Sequence, residues 1–127
     1  MNRVLYQRRL EQHLSGAKTH RTNKDYVQAG EKVWGALSAL VNTKSNHELK
    51  SQLDKKPLFS GLVNKLRATD STIRLEMNQL ELRDGDEVFL AIYDLHRMFY
   101  GGTDYSEAQV LPKIDLFIKV IEKLKSS

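Results

Sequence analysis

The chain has 127 residues, 40% of them hydrophobic and 28% charged, with a net charge of +4. Those proportions exclude a disordered chain and set the expectation of one soluble domain over residues 1–127. The absence of cysteine excludes a disulfide framework, a thiol nucleophile and a cysteine zinc site.

No apolar run approaches the ~18 residues of a membrane span, and the charged start lacks the apolar centre of a signal peptide. A cytoplasmic location and no membrane contact are therefore the expectation. The charge is unevenly spread. Residues 1–67 sum to +8 and residues 68–127 to −4. Such asymmetry implies either an anionic partner for the basic half or basic-to-acidic docking between subunits.

In chain order, residues 3–18 read as a helix with Val4, Leu5, Leu10, Leu14 and Ala17 on a narrow apolar stripe. Lys18 to Lys24 reads as a polar connection, and Asn23 as the cap of the next helix, with Asp25 in its first turn. Tyr26 to Val41 is the strongest element. Tyr26, Gly30, Val33, Trp34, Leu37, Leu40 and Val41 fall on one helical face around the only tryptophan. A second edge of Ala29, Ala36 and Ala39 widens that face, so this helix is expected to be covered on more than one side. It is expected to stop in the polar cluster Asn42 to Asn46.

Asn46 is placed to cap a short turn from His47 to Leu53. Pro57 then suits a helix start, followed by Leu58, Phe59, Leu62, Val63 and Leu66 at helical spacing. Residues 69–82 are ambiguous. Ile73, Leu75 and Met77 alternate as in a strand, but no second alternating run exists to pair with them. Ile73, Met77 and Leu80 also fit a helical stripe, so a helical segment is the expectation.

Asp84-Gly85-Asp86 reads as a turn or cap, and the acids there as the enriched start of a helix, without EF-hand ligand spacing. Val88, Ile92, Leu95 and Phe99 follow on one helical line, ended by Gly101-Gly102. Ser106 with Gln109 resembles a capping box, while Pro112 argues for a start near Leu111. Val110, Ile114, Phe117, Ile118, Ile121 and Leu124 define the last helix. The fold expected is all-α: an antiparallel bundle of four to five helices with short extra helical segments.

The chain has no Gly-rich phosphate loop, H-E-x-x-H, EF-hand or nucleophile elbow, so neither cofactor nor metal is expected. Two constellations remain. His96 and Arg97, with Tyr93 or Tyr100, form candidates for phosphate contact or acid–base work; the alternative is a histidine hydrogen-bonded inside the bundle. Arg8, Arg9, His13, Lys18 and Arg21, extended by Lys44 to Lys56, are candidates for binding a nucleotide or nucleic acid through phosphates. Arg9 and His13 are one turn apart and equally suit a solvated basic face.

Gln28-Ala29-Gly30-Glu31-Lys32-Val33-Trp34-Gly35-Ala36 resembles the QAxEKxWxA core helix of small archaeal helical proteins of the PaREP type. Leu95-His96-x-x-Phe99-Tyr100-Gly101, followed by Asp104 and a last amphipathic helix, resembles their LHxxFY segment. Those proteins belong to the HEPN superfamily. The resemblance implies a helical bundle that commonly forms a homodimer. Several branches are metal-independent ribonucleases built on an Arg, four to six residues, then a His, on a late helix. Here the late helix carries His96-Arg97 with no histidine downstream, and the only Arg-x4-His, Arg8 to His13, lies in the first helix. Other branches partner a small nucleotidyltransferase or act as binding modules. Three functions follow as expectations: a non-enzymatic binding module, a divergent ribonuclease using these residues, and a nucleotidyltransferase subunit.

Overall fold

The computed structural model describes residues 3–45, 47–99 and 106–127. They form α1 (Arg3–Thr22), α2 (Tyr26–Ser45), α3 (Gln52–Thr69), α4 (Ser71–Gln79), α5 (Gly85–Phe99) and α6 (Glu107–Lys125), with no strand among them. The all-helical expectation is met. Asn46 as a cap, Tyr100, the Gly101-Gly102 stop and Asp104 lie outside the described residues.

α2 is the hub. It packs on α1, α5, α6 and α3, and its buried set runs from Tyr26 through Trp34, Leu37 and Leu40 to Thr43. Trp34 is nearly buried, meeting Phe89 edge-on at 5.7 Å and Tyr93 at 5.5 Å between ring centroids. Phe59, Phe117, Ile92, Ile114 and Ile121 complete a continuous core drawn from α3, α5 and α6. A stripe of this width needs cover from several helices, because each one can shield only part of it.

Several boundaries differ from the sequence expectation, each for a local reason. α1 continues through Lys18 to Thr22, so most of the expected connection is helical. It closes with Asp25 N–H donating to the His20 carbonyl at 2.8 Å and Lys24 N–H to Arg21 at 3.1 Å. That is a Schellman closure, with Lys24 at φ 62° in the left-handed position that glycine ordinarily fills. Asp25, not Asn23, caps α2, accepting the Gln28 N–H at 3.2 Å. α2 runs on to Ser45 because its polar end is satisfied: Thr43 donates to the Ala39 carbonyl and Asn42 accepts from Leu49 N–H.

No helix forms over His47 to Ser51; Ser51 caps α3 by accepting the Asp54 N–H at 3.1 Å, and Pro57 sits inside α3. Between α3 and α4 lies one residue. Asp70 ends α3 through its N–H to Leu66 and starts α4 by accepting the Ile73 N–H. Ile73 and Met77 are buried and Leu75 is 59% exposed, so residues 69–82 hold a helix and not a strand. α6 begins at Glu107, with Pro112 inside it and no side-chain bond from Ser106.

Candidate functional site around Trp34 and the basic groove of α1

α1 buries Tyr6, Leu10, Leu14 and Ala17, which leaves two polar flanks. The five basic candidates on it part company there. Arg8 joins Arg3, Lys44 and Lys125 around a groove of about 670 Å³, between the start of α1 and the ends of α2 and α6. Leu10 and Leu40 close its floor with almost no exposed surface. Its one acid, Glu11, is held by Lys125 at 2.9 Å, and Lys44 donates to the Ser127 carbonyl. No described carboxylate pairs with Arg3 or Arg8.

Arg9 lies over the Tyr6 ring at 5.9 Å. His13, on the same flank, rests directly on the α2 backbone. A Cβ built on Gly35 would fall 2.6 Å from the imidazole. Burial, then the nearby Lys32 and Arg9 charges, push the His13 pKa down, with Glu31 opposing them. Lys18 and Arg21 face α6 instead. Lys18 pairs with Glu122, and Arg21 grips Asp115 with two bonds of 2.9 and 3.0 Å. The single patch suggested by the sequence is therefore divided. Lys18 and Arg21 strap α1 to α6, Arg9 lies over Tyr6, His13 packs on α2, and of the five Arg8 alone faces the groove.

The late-helix candidates also separate. Arg97 is exposed and lies 3.9 Å from Asp94 on its own helix. His96 turns inward: its Nδ1 is 2.7 Å from Oε2 of Glu31, and its ring stacks on Trp34 with centroids 5.0 Å apart and planes at 22°. A carboxylate can only accept, so Nδ1 carries the proton and the Glu31 contact fixes the tautomer. What allows the contact is Gly30. A Cβ there would lie 3.0 Å from Leu95 Cβ, so α2 and α5 approach closely one residue before the pair on each helix.

A third helix completes the cluster. Lys55 of α3 places its Nζ 5.2 Å from the Trp34 ring centroid and 3.2 Å from the Ser38 hydroxyl. Trp34, His96, Lys55, Lys50 and Ser51 line an open cleft of about 480 Å³. Sequence reasoning reaches Lys55 only within the basic stretch Lys44 to Lys56 and does not reach Glu31 as a site residue. Glu31 and Lys55 lie 65 and 41 positions from His96, and no local periodicity links residues on three different helices.

Two histidines thus reach α2 from two sides. Glu31 holds His96 directly, and Gly35, one helical turn on, supports His13. Among the described residues no three His, Cys, Asp or Glu side chains group so as to hold a metal ion. No helix among them is long and apolar enough to cross a membrane. No protein-family model matches this chain, and no match is found among curated proteins or solved structures.

Proposed function

We propose that this chain is a binding module of the HEPN type, an antiparallel bundle that forms a homodimer and holds the phosphates of a nucleotide or nucleic acid along α1. The observation that carries the reading is the groove at the start of α1. Arg3, Arg8, Lys44 and Lys125 border it, and its single acid is already bound to one of them. Two guanidinium groups with no described carboxylate partner offer bidentate donors to phosphate oxygens. The groove's charged side chains are cationic except for Glu11, so binding there rests on phosphate contacts and is screened by salt.

The test is fluorescence anisotropy with labelled single-stranded RNA across a salt series. Arg3→Ala with Arg8→Ala is expected to weaken binding and to flatten the log–log salt slope by about 0.7 for each phosphate that is no longer neutralised. Unchanged affinity and slope would remove the groove from the reading. Gel-filtration mass tests the dimer separately.

A second reading, a metal-independent ribonuclease, is favoured by the Glu31–His96 hydrogen bond, which orients an imidazole as a general base requires. RNA incubated without metal decides it. Cleavage no faster than that of a His13→Ala, His96→Ala double variant would dispose of catalysis and leave the binding module.

A further inference from the structure

We propose that Lys55 is a nucleophilic amine that captures small carbonyl compounds bearing an anionic group, as a Schiff base in the Trp34 cleft. This cleft is separate from the α1 groove, which lies at the start of α1 and is lined by other residues.

Three observations converge on this side chain. Its amine is partly withdrawn from water, lodged between the Trp34 ring and the Ser38 hydroxyl, and no described carboxylate bonds to it. The cleft opens to solvent beside it and is lined on the same side by Lys50, Ser51 and Gln52. Lys50 lines the cleft within five residues of Lys55 and is the cation that a ligand's negative group would meet there. His96, oriented by Glu31, lines the cleft as well and provides a proton-exchanging group.

The groups around the amine set its protonation. Burial pushes the Lys55 pKa down, and Glu48, in the segment before α3, is the charge that opposes it. Lys50 lines the same cleft, while α5 contributes His96 and α2 contributes Glu31, whose carboxylate is engaged by His96. A lysine amine partly desolvated against an apolar wall is more nucleophilic than one in water.

The step balances without an oxidant or reductant. The neutral Nζ lone pair adds to the carbonyl carbon and the carbonyl π pair moves to oxygen. A proton passes from nitrogen to that oxygen, giving a carbinolamine. The oxygen then takes one further proton from the surroundings and leaves as water as the C=N bond forms, and the iminium nitrogen releases its remaining proton to the surroundings. Amine and aldehyde become imine and water.

The experiment uses the full chain with pyridoxal 5′-phosphate, reduction by borohydride and peptide mapping. Lys55 is expected to be labelled about tenfold faster than the mean of the other lysines. Lys55→Arg should abolish that label, leave the rest unchanged and melt like the parent chain. Pyridoxal, lacking the phosphate, should label Lys55 several-fold more slowly. Labelling of Lys55 at or below the lysine mean would overturn the proposal, because the Trp34 ring would then be holding an unreactive ammonium. Equal rates with pyridoxal would overturn the requirement for an anionic group.

Discussion

Gly85 is the position where one methyl group should do most damage. It opens α5, and its N–H donates to Asn64 Oδ1 at 2.7 Å. A Cβ built there would lie 2.2 Å from the Ser60 carbonyl oxygen and 2.7 Å from Ser60 Cα. Ordinary contact needs about 3.5 Å, so α3 and α5 would have to part by more than 1 Å at a backbone-to-backbone contact that no rotamer can relieve. Overpacking of this kind costs about 1–3 kcal/mol, and breaking the Asn64 bond adds about 1 kcal/mol. Gly85→Ala is therefore expected to lose about 3 kcal/mol, roughly 10 °C in Tm for a domain of this size. Gly61 provides the control, since it is exposed inside α3 with nothing near its missing Cβ. Gly61→Ala should gain about 0.5–1 kcal/mol from helix propensity alone. Urea titration followed by Trp34 emission measures both, the ring being buried in the fold. Shifts of the same sign in the two variants, or an unchanged Gly85→Ala, would refute the close approach of α3 and α5.

Other substitutions test the joints and the charges. Lys24 and Glu81 hold φ of 62° and 60°, and Leu82 and Glu81 N–H groups close α4 on Met77 and Asn78 as Asp25 and Lys24 close α1. Lys24→Gly and Glu81→Gly should each stabilise by about 0.5 kcal/mol, because glycine relieves the left-handed strain; a loss in thermal melts would contradict the closures. His13, with its pKa lowered by burial and by Lys32, favours the neutral ring when folded. As pH falls through the ordinary value of 6.5, the unfolded chain binds the proton first, so stability should drop until the folded ring also protonates. Urea midpoints from pH 8 to pH 5 should fall further for the parent chain than for His13→Asn; parallel curves would remove His13 from the packed interface. Asp70 is held below the usual carboxylate range, first by Lys123 and then by the Ile73 N–H. Its contribution is present above the ordinary carboxylate pKa and disappears as pH falls through the lowered folded value. Asp70→Asn should thus lower the melting temperature at pH 7 and flatten its decline below pH 4, as scanning calorimetry would show; an acid limb identical to the parent's would refute the pairing.

How much of this was legible in the chain depends on the range of the interaction. The period of Tyr26 to Val41 announced a buried helix, and α2 is the hub on which α1, α3, α5 and α6 pack. At residues 69–82 the apparent alternation was accidental: Ile73 and Met77, four apart, are buried, and Leu75 between them is not. The missing strand partner was the better guide. Helix ends were harder. The turns that close α1 and α4 place Lys24 and Glu81 where sequence rules look for glycine, so the signals for those turns were absent. Gly85 read as part of a turn because a turn and a backbone-to-backbone contact both demand the same residue. The site was harder still. The Glu31–His96 bond exists because Gly30 admits Leu95. That is a fact about two helices meeting, and periodicity along either one contains no trace of it.

The charge distribution has a different meaning in three dimensions from the one its sum suggests. An excess of +8 over residues 1–67 looks like one electrostatic face for an anionic partner. In the fold, Lys18 and Arg21 answer acids of α6, Lys55 withdraws over Trp34, and Lys32 packs its stem against Gly16. A helix that buries only a narrow stripe keeps its flanks close to its neighbours. Basic residues on those flanks become intramolecular straps wherever the neighbour is acidic, and α6 supplies such acids in Asp115 and Glu122. The half-chain asymmetry is therefore partly a device for docking α1 onto α6. Arg3 and Arg8 face no described carboxylate and share one groove with Lys44 and Lys125, which is why the binding test belongs there and not at Lys18 and Arg21 of the same helix.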